Sequence, residues 1–539
     1  MSQQKLDSIK QARYKAAKRQ RRITFNNDGN DVTHFLDEAT PEAMLQIRTA
    51  GLLDTQVDTI VYNTGYCFGH VLHRTKVGAS FTCKEAEFAN NKVADFIKQD
   101  TDALQIVVKF CRENNIEVRW SMRMNDIHDA IPPSKGFSPV CLFPPFKKDH
   151  PELLMGSIDN EPVIPYWTSV DYGHHQVRDM VFKLNREVCE NYDVDGIDLD
   201  FFRHMPYFKS VAMGGSATQQ DLDKMTNLIH RIRKMADKVG QKRGRPILIA
   251  VRVPDSVGYC KASGFDIVRW MEEDLIDMLV VTGYFRLNSW ETSVELGHKY
   301  GIPVYSCLSD VRQSDKEAAS IRNTIEGLRG RAAVAWNSGA DGIYMFNFWD
   351  TTNPIWKEIG EQRTLATVNK VYTTGARSHR PVNRFLARGD RFINTPALSP
   401  EKPEKLIQGK PVKVELNVVE DAKEAMGRGA SSQFKLMLRF NKQSGLQDVT
   451  VKLNKKTLTD GSKAGEWIKE LNSIAEITPP NNDLESSVWI EYAVKPDLLK
   501  KGANSIALEL KSGGETKMVL LDIILRSRYL RSDGSGEWK

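Results

Sequence analysis

The chain has 539 residues, 41% hydrophobic and 27% charged, a composition that excludes a disordered or fibrous protein and leaves room for several domains. No apolar run approaches the ~20 residues that cross a bilayer, and the N-terminus lacks an apolar signal core, so no membrane partner is expected; the sequence leaves the location open between cytoplasm and, if a signal was removed, periplasm. The net charge of +6 is local: residues 1–22 hold eight Lys/Arg against one Asp, and the rest is close to neutral.

Residues 1–20 form a basic arm with Ala between its charges. It is expected to be a solvated helix under the first domain rather than a nucleic-acid tail, because only Tyr14 offers an aromatic face for stacking. Residues 21–365 then repeat one unit, a short β-branched run ending in polar residues followed by an amphipathic helical stretch. The strand candidates are 21–28, 57–65, 116–126, 194–204, 246–256, 276–285, 302–310 and 340–350. Strands alternating with helices are parallel and joined by crossovers. Eight units in this length suit a closed (β/α)8 barrel, and the first strand runs into "FNNDGND", without the glycine-rich phosphate turn of an open nucleotide-binding sheet.

Residues 366–399 are expected to connect two domains. From 400 to 539 the period changes to short strands between Gly, Asn, Asp and Ser turns, which predicts an all-β sandwich. The seven cysteines are odd in number, scattered and without a CxxC pair. Free, mostly buried thiols are expected, with neither a disulfide framework nor a cysteine zinc site.

The run "YDVDGIDLDFFRH" places four aspartates within eight residues. Asp193 and Asp195 fall where the strand begins, at the base of a barrel. Asp198 and Asp200 lie two apart near its top, so both face the barrel mouth, where active sites of this fold sit. Two carboxylates so placed raise one another's proton affinity, as general acid catalysis requires. Asp200 is the expected acid or nucleophile and Asp198 its modulator, with Asp310 or Asp255 as partner. The other strand tops offer Asn27, Asp28, Asn63, Arg123, Asn125, Asp126, His128, Arg203, His204, Arg252, Tyr284, Asn347 and Trp349 as substrate contacts. The arginines suit either an anionic substituent or the neighbouring aspartates. Tyr66, Phe68, Trp290 and Trp349 are candidates to stack on sugar rings. "DIH" lacks a dedicated metal spacing such as HExxH, so neither a metal nor another cofactor is expected.

"DGIDLD", "VTGYF" and "DGIYMFNFWD" resemble the fourth, sixth and eighth strands of chitinase-type barrels. With "RRITFNNDGND", "RMNDIHD" and "AVRVPDS", they resemble a bacterial glycoside-hydrolase-like barrel family related to the glycosyl hydrolase-like 10 proteins. "YAVKPDLLKKGANSIALEL" resembles the edge of galactose-binding-like jelly rolls. The resemblance implies a carbohydrate substrate and hydrolysis of O-glycosyl bonds. It breaks at one position: Phe202 stands where the chitinase-type signature carries its catalytic Glu, so chitinase activity is not implied. A carbohydrate-binding protein on a degenerate barrel is the alternative, followed by a metal-dependent hydrolase or lyase.

Overall fold

The β-branched runs become strands because each buries both faces, one inside a barrel and one under helices. The computed structural model describes residues 3–130, 139–309, 315–374, 380–395, 398, 400, 402–421, 431–441, 448–465, 467–471, 487–511 and 518–530. Eight strands form the barrel: β1 (Ile23–Asn27), β2 (Val57–Asn63), β3 (Glu117–Arg123), β4 (Gly196–Asp200), β5 (Leu248–Val253), β6 (Met278–Val281), β7 (Val304–Leu308) and β8 (Gly342–Met345). All neighbours are parallel, and β8 closes on β1 with Ile343 opposite Ile23. The (β/α)8 barrel followed by an all-β region is as expected. Gly196 is required by close approach, since a Cβ there would lie 2.6 Å from the Leu248 carbonyl oxygen of β5.

The chain forms two compact units. The first holds the N-terminal helix, all eight barrel strands and residues 380–393. Its base is closed by charge. Arg21 grips Glu117 through two hydrogen bonds of 2.8 and 2.7 Å, both side chains being buried. The basic arm is helix α1 (Gln3–Ala17), whose buried Arg13 reaches Asp277 at 2.8 Å and pairs with Asp274 as well. Asp195 accepts the Val118 amide at 2.9 Å and pairs with Arg112 and Arg245, which fits its expected place at the base.

The second unit comprises residues 310–339, 357–379 and 394–539. Its larger sheet has six strands, in the order β9 (Lys370–Thr373), Val519–Leu530, Ser431–Asn441, Ser487–Val494 and Ser462–Lys463, with Glu404–Lys405 also paired to Val519–Leu530. The smaller sheet has four strands built on Val412–Val418, Gly502–Leu510 and Val449–Leu453. The segment expected as a plain connection thus supplies a strand. Two helices that fall between β7 and β8 in sequence, Lys316–Arg322 and Ile325–Asn337, also belong to this unit. Arg322 grips Asp522 with bonds of 2.7 and 2.8 Å, and Arg439 pairs with Asp315 and Glu317. Ile321 joins Val371, Met437, Trp489 and Ile524 in one buried cluster.

The cysteine expectation needs correction. Cys83 and Cys141, 58 residues apart, form a disulfide with Cα atoms 5.9 Å apart, while Cys67, Cys111, Cys189, Cys260 and Cys307 are buried and free. No spacing motif marks this pair. The loops after β2 and β3 bring it together.

Arg21→Met should destabilise the protein by about 3–5 kcal/mol in chemical denaturation, because it leaves the buried Glu117 charge only the longer pairs to Arg119 and Arg19, at 3.6 and 3.9 Å. An effect under ~1 kcal/mol would show that water reaches Glu117. A 396–539 fragment is expected not to melt cooperatively by circular dichroism, because it leaves Asp522 and Arg439 without Arg322, Asp315 and Glu317. A sharp transition would show that the sheets suffice alone.

Candidate active site

The inward face of β4 carries Gly196, Asp198 and Asp200, while Ile197 and Leu199 are fully buried on its other face. Asp198 is sealed: its exposure is 0%, and neither carboxylate oxygen has an ordinary hydrogen bond. Burial pushes its carboxyl up to about 6. The charge on Asp200 adds to this, and Arg119, Arg252 and the Tyr344 hydroxyl pull the other way. Mutual repulsion therefore acts in the expected direction but is smaller than the cost of burial.

Asp200 lies one layer higher. Arg252 holds it in a two-pronged grip, Nε to Oδ1 at 3.0 Å and Nη2 to Oδ2 at 2.6 Å, and the Phe202 amide donates to Oδ1 at 2.9 Å. Register explains the grip, since Arg123, Asp200 and Arg252 lie side by side on β3, β4 and β5. Arg123 points its own fork elsewhere, to Asp28 and Asp126, each at 2.9 Å. Arg203 donates to the Tyr284 hydroxyl at 2.6 Å and lies 3.7 Å from Asp28. The mouth thus carries Arg123, Arg203 and Arg252 against Asp28, Asp126 and Asp200, all buried. Burial pushes the Asp28 carboxyl up, but Arg123 and Arg203 outweigh it and hold the group below the usual carboxylate range. Of the two roles open to these arginines, the observed contacts are the aspartates.

Asp126 is also the anchor of two histidines. Its Oδ1 lies 2.5 Å from His128 Nδ1 and 3.7 Å from His204 Nδ1. Burial raises the Asp126 carboxyl, and His128 and Arg123 more than cancel this. Burial keeps the His204 imidazole neutral. One ligand atom from each of Asp126, His128 and His204 lies within 4.8 Å of the others, close enough for the three to hold a metal ion.

Several predicted contacts hold loops in place. Asn27 donates to Asp31 and accepts from Gly29, and Asn63 donates to the Asp28 and Gly65 carbonyls. Asn125 donates to the Val170 and Pro206 carbonyls. Asp255 is turned to the backbone, accepting from the amides of Leu287 and Asn288 at 2.9–3.1 Å; burial still pushes its carboxyl up to about 6. Asn347 ends β8 at φ +58, in the left-handed region, with its buried Oδ1 lacking a hydrogen bond. Asp310 lies outside the described residues.

Of the aromatic candidates only Trp349 is half-buried, with Arg48 4.5 Å over its ring; Tyr66 is buried and stacked on Phe81 and His128. Phe68 is instead packed near Phe146 and Tyr172, and Trp290, itself buried, starts a helix with Arg286 over its ring, so neither ring is free for a sugar. Phe202 sits among Tyr284, Phe285 and Arg252. Gly283 makes room for it: a Cβ there would lie 2.1 Å from the ring. Sequence reasoning missed Arg119 and Tyr344 inside the barrel, although both are buried strand residues and Arg119 shares the parity of Arg123. A groove of about 1050 Å³ elsewhere on the barrel is lined by Arg74, Arg112, Glu187 and Asp193, the last a residue of the base.

No family model and no curated protein matches the chain. Solved structures similar to it include the α-L-fucosidase isoenzyme 2 of Paenibacillus thiaminolyticus (TM-score 0.37, 13% identity, 64% of this chain and 48% of that one). Another is a glycoside hydrolase family 18 N-acetylglucosaminidase from Paenibacillus barengoltzii (0.36, 12%, 64% and 99%). A third is the PgaB (BpsB) glycoside hydrolase domain of Bordetella bronchiseptica (0.40, 8%, 64% and 98%). The chain spans about half the length of the fucosidase.

The sealed Asp198 makes stability depend on pH. Its folded value of about 6 lies above the ordinary 3.8, so the unfolded chain ionises first and stability falls as pH rises between the two. The loss amounts to roughly 3 kcal/mol above about pH 7, at 1.36 kcal/mol per tenfold. Asp198→Asn removes it. Urea titrations at about pH 4 and pH 7 should show the variant gaining roughly that much on the native protein, and an unchanged difference would mean Asp198 is hydrated.

Proposed function

We propose that the protein is a glycoside hydrolase acting on an oligo- or polysaccharide at the C-terminal mouth of the barrel. The observation that carries this is the stack of Asp198 and Asp200 on one face of β4 in two unlike environments: one sealed and pushed up to about 6, the other buried one layer nearer the mouth and oriented by Arg252. Paired carboxylates with separated environments are the requirement of glycoside hydrolysis. Asp200 is the group that reaches the anomeric centre, and Arg252 fixes its orientation. Asp198 sets the charge beneath it. The partner carboxylate is one of two sequence candidates: Asp255, whose oxygens accept the Leu287 and Asn288 amides, or Asp310, which is proposed from the sequence alone. A separation of about 5–5.5 Å between the two carboxyls gives retention and about 6.5–9.5 Å inversion.

A second reading, a non-catalytic carbohydrate binder, is favoured by Phe202. It fills the position of the signature's acid with a ring packed too tightly for another group to enter.

A panel of plant and algal polysaccharides, sulfated ones included, scored for released reducing ends, separates the two. The enzyme should cleave at least one polymer, and Asp200→Asn should cut that rate by about 10²–10⁴. Thermal melting accompanies the assay because the variant weakens the partner of a buried arginine, and Arg252→Lys should retain more of the rate than Asp200→Asn. Near-native turnover in Asp200→Asn would remove Asp200 from the chemistry, and binding without cleavage in the native protein would establish the binder.

A further inference from the structure

The loop after β3 and the turn after β4 converge on Asp126, His128 and His204, a cluster that the hydrolytic reading does not use for chemistry. Two imidazole nitrogens and one carboxylate oxygen lie within 4.8 Å of one another. His204 Nδ1 is buried without a hydrogen-bond partner, and Asp126 Oδ1 is 3.7 Å away, too far for one. A buried nitrogen left this way is suited to a ligand that shares its lone pair.

We propose that these three side chains hold one divalent first-row transition ion, Zn²⁺ foremost. Ligands about 2.0–2.1 Å from a zinc ion stand some 3–3.5 Å apart when tetrahedral. His204 Nδ1, 3.7 Å from Asp126 Oδ1, is close to that spacing, and His128 Nδ1, now 2.5 Å from the same oxygen, reaches it when the ion replaces their direct contact. The donor set excludes the hard ions Ca²⁺ and Mg²⁺, which take oxygen ligands. Asp126 has its support in place, since Arg123 holds its other oxygen at 2.9 Å and fixes the carboxylate plane. Arg123 also repels a cation, but its charge is shared with Asp28, 2.9 Å away on its other prong. Three protein ligands leave the ion a position for water or a sugar hydroxyl. His128, 37% exposed, puts the cluster within reach of solvent.

The test uses the full chain, stripped with a chelator and titrated without any sugar, so its outcome is independent of glycosidase activity. Calorimetry with Zn²⁺ should give one equivalent per chain, and Co²⁺ should produce a visible ligand-field band. His128→Ala and His204→Ala should each weaken binding by at least about tenfold and alter the Co²⁺ band, while their metal-free melting curves stay near that of the native protein. The proposal is overturned if no stoichiometric ion binds, or if binding survives unchanged in the His128→Ala/His204→Ala double variant, as it would for an ion held elsewhere on the chain. Should either single variant unfold, His204→Gln, which keeps a polar group of similar size, must still lose the ion.

Discussion

Burying charge at the mouth of a barrel is expensive, and this one buries Arg123, Arg203 and Arg252 with Asp28, Asp126 and Asp200. Each ion removed from water costs several kcal/mol unless its partner is close and well aligned. Parallel register supplies that alignment. Asp200 lies between two arginine-bearing strands, takes the fork of one, and leaves the other free to join Asp28 and Asp126. The polar strand tops form a linked set, in which moving one guanidinium uncovers a carboxylate on another strand.

The periodicity of the chain was enough to place all eight barrel strands and the later sandwich, because burial on both faces leaves a local pattern. Parity was likewise enough to put Asp198 and Asp200 on one face and Asp195 at the base. Partner choice was not legible. Nothing near Asp255 announces that the Leu287 and Asn288 amides, some thirty residues on, will claim it. Phe68 and Trp290 look like sugar platforms until distant side chains cover them. The pairing of Lys370–Thr373 with Val519–Leu530 hides within a segment that is locally Arg-, Thr- and Pro-rich.

The Phe202 ring is accommodated by an absent side chain at Gly283 and flanked by Arg252, so its place at the mouth depends on residues after β4, on β5 and after β6. A fold of this kind hosts many activities, and the side chains at its mouth decide among them.

The Cys83–Cys141 bridge gives the molecule two stabilities rather than one. Closing a loop of 58 residues removes enough freedom from the unfolded chain to be worth about 4 kcal/mol in the chain-entropy view. That increment exists only where thiols are oxidised. The remaining five cysteines are buried, so an oxidising surrounding can add this bridge while the folded protein keeps its other thiols out of reach of exchange. The redox state of the surroundings would then be a determinant of the protein's lifetime, acting through a loop after β2 and a helix after β3.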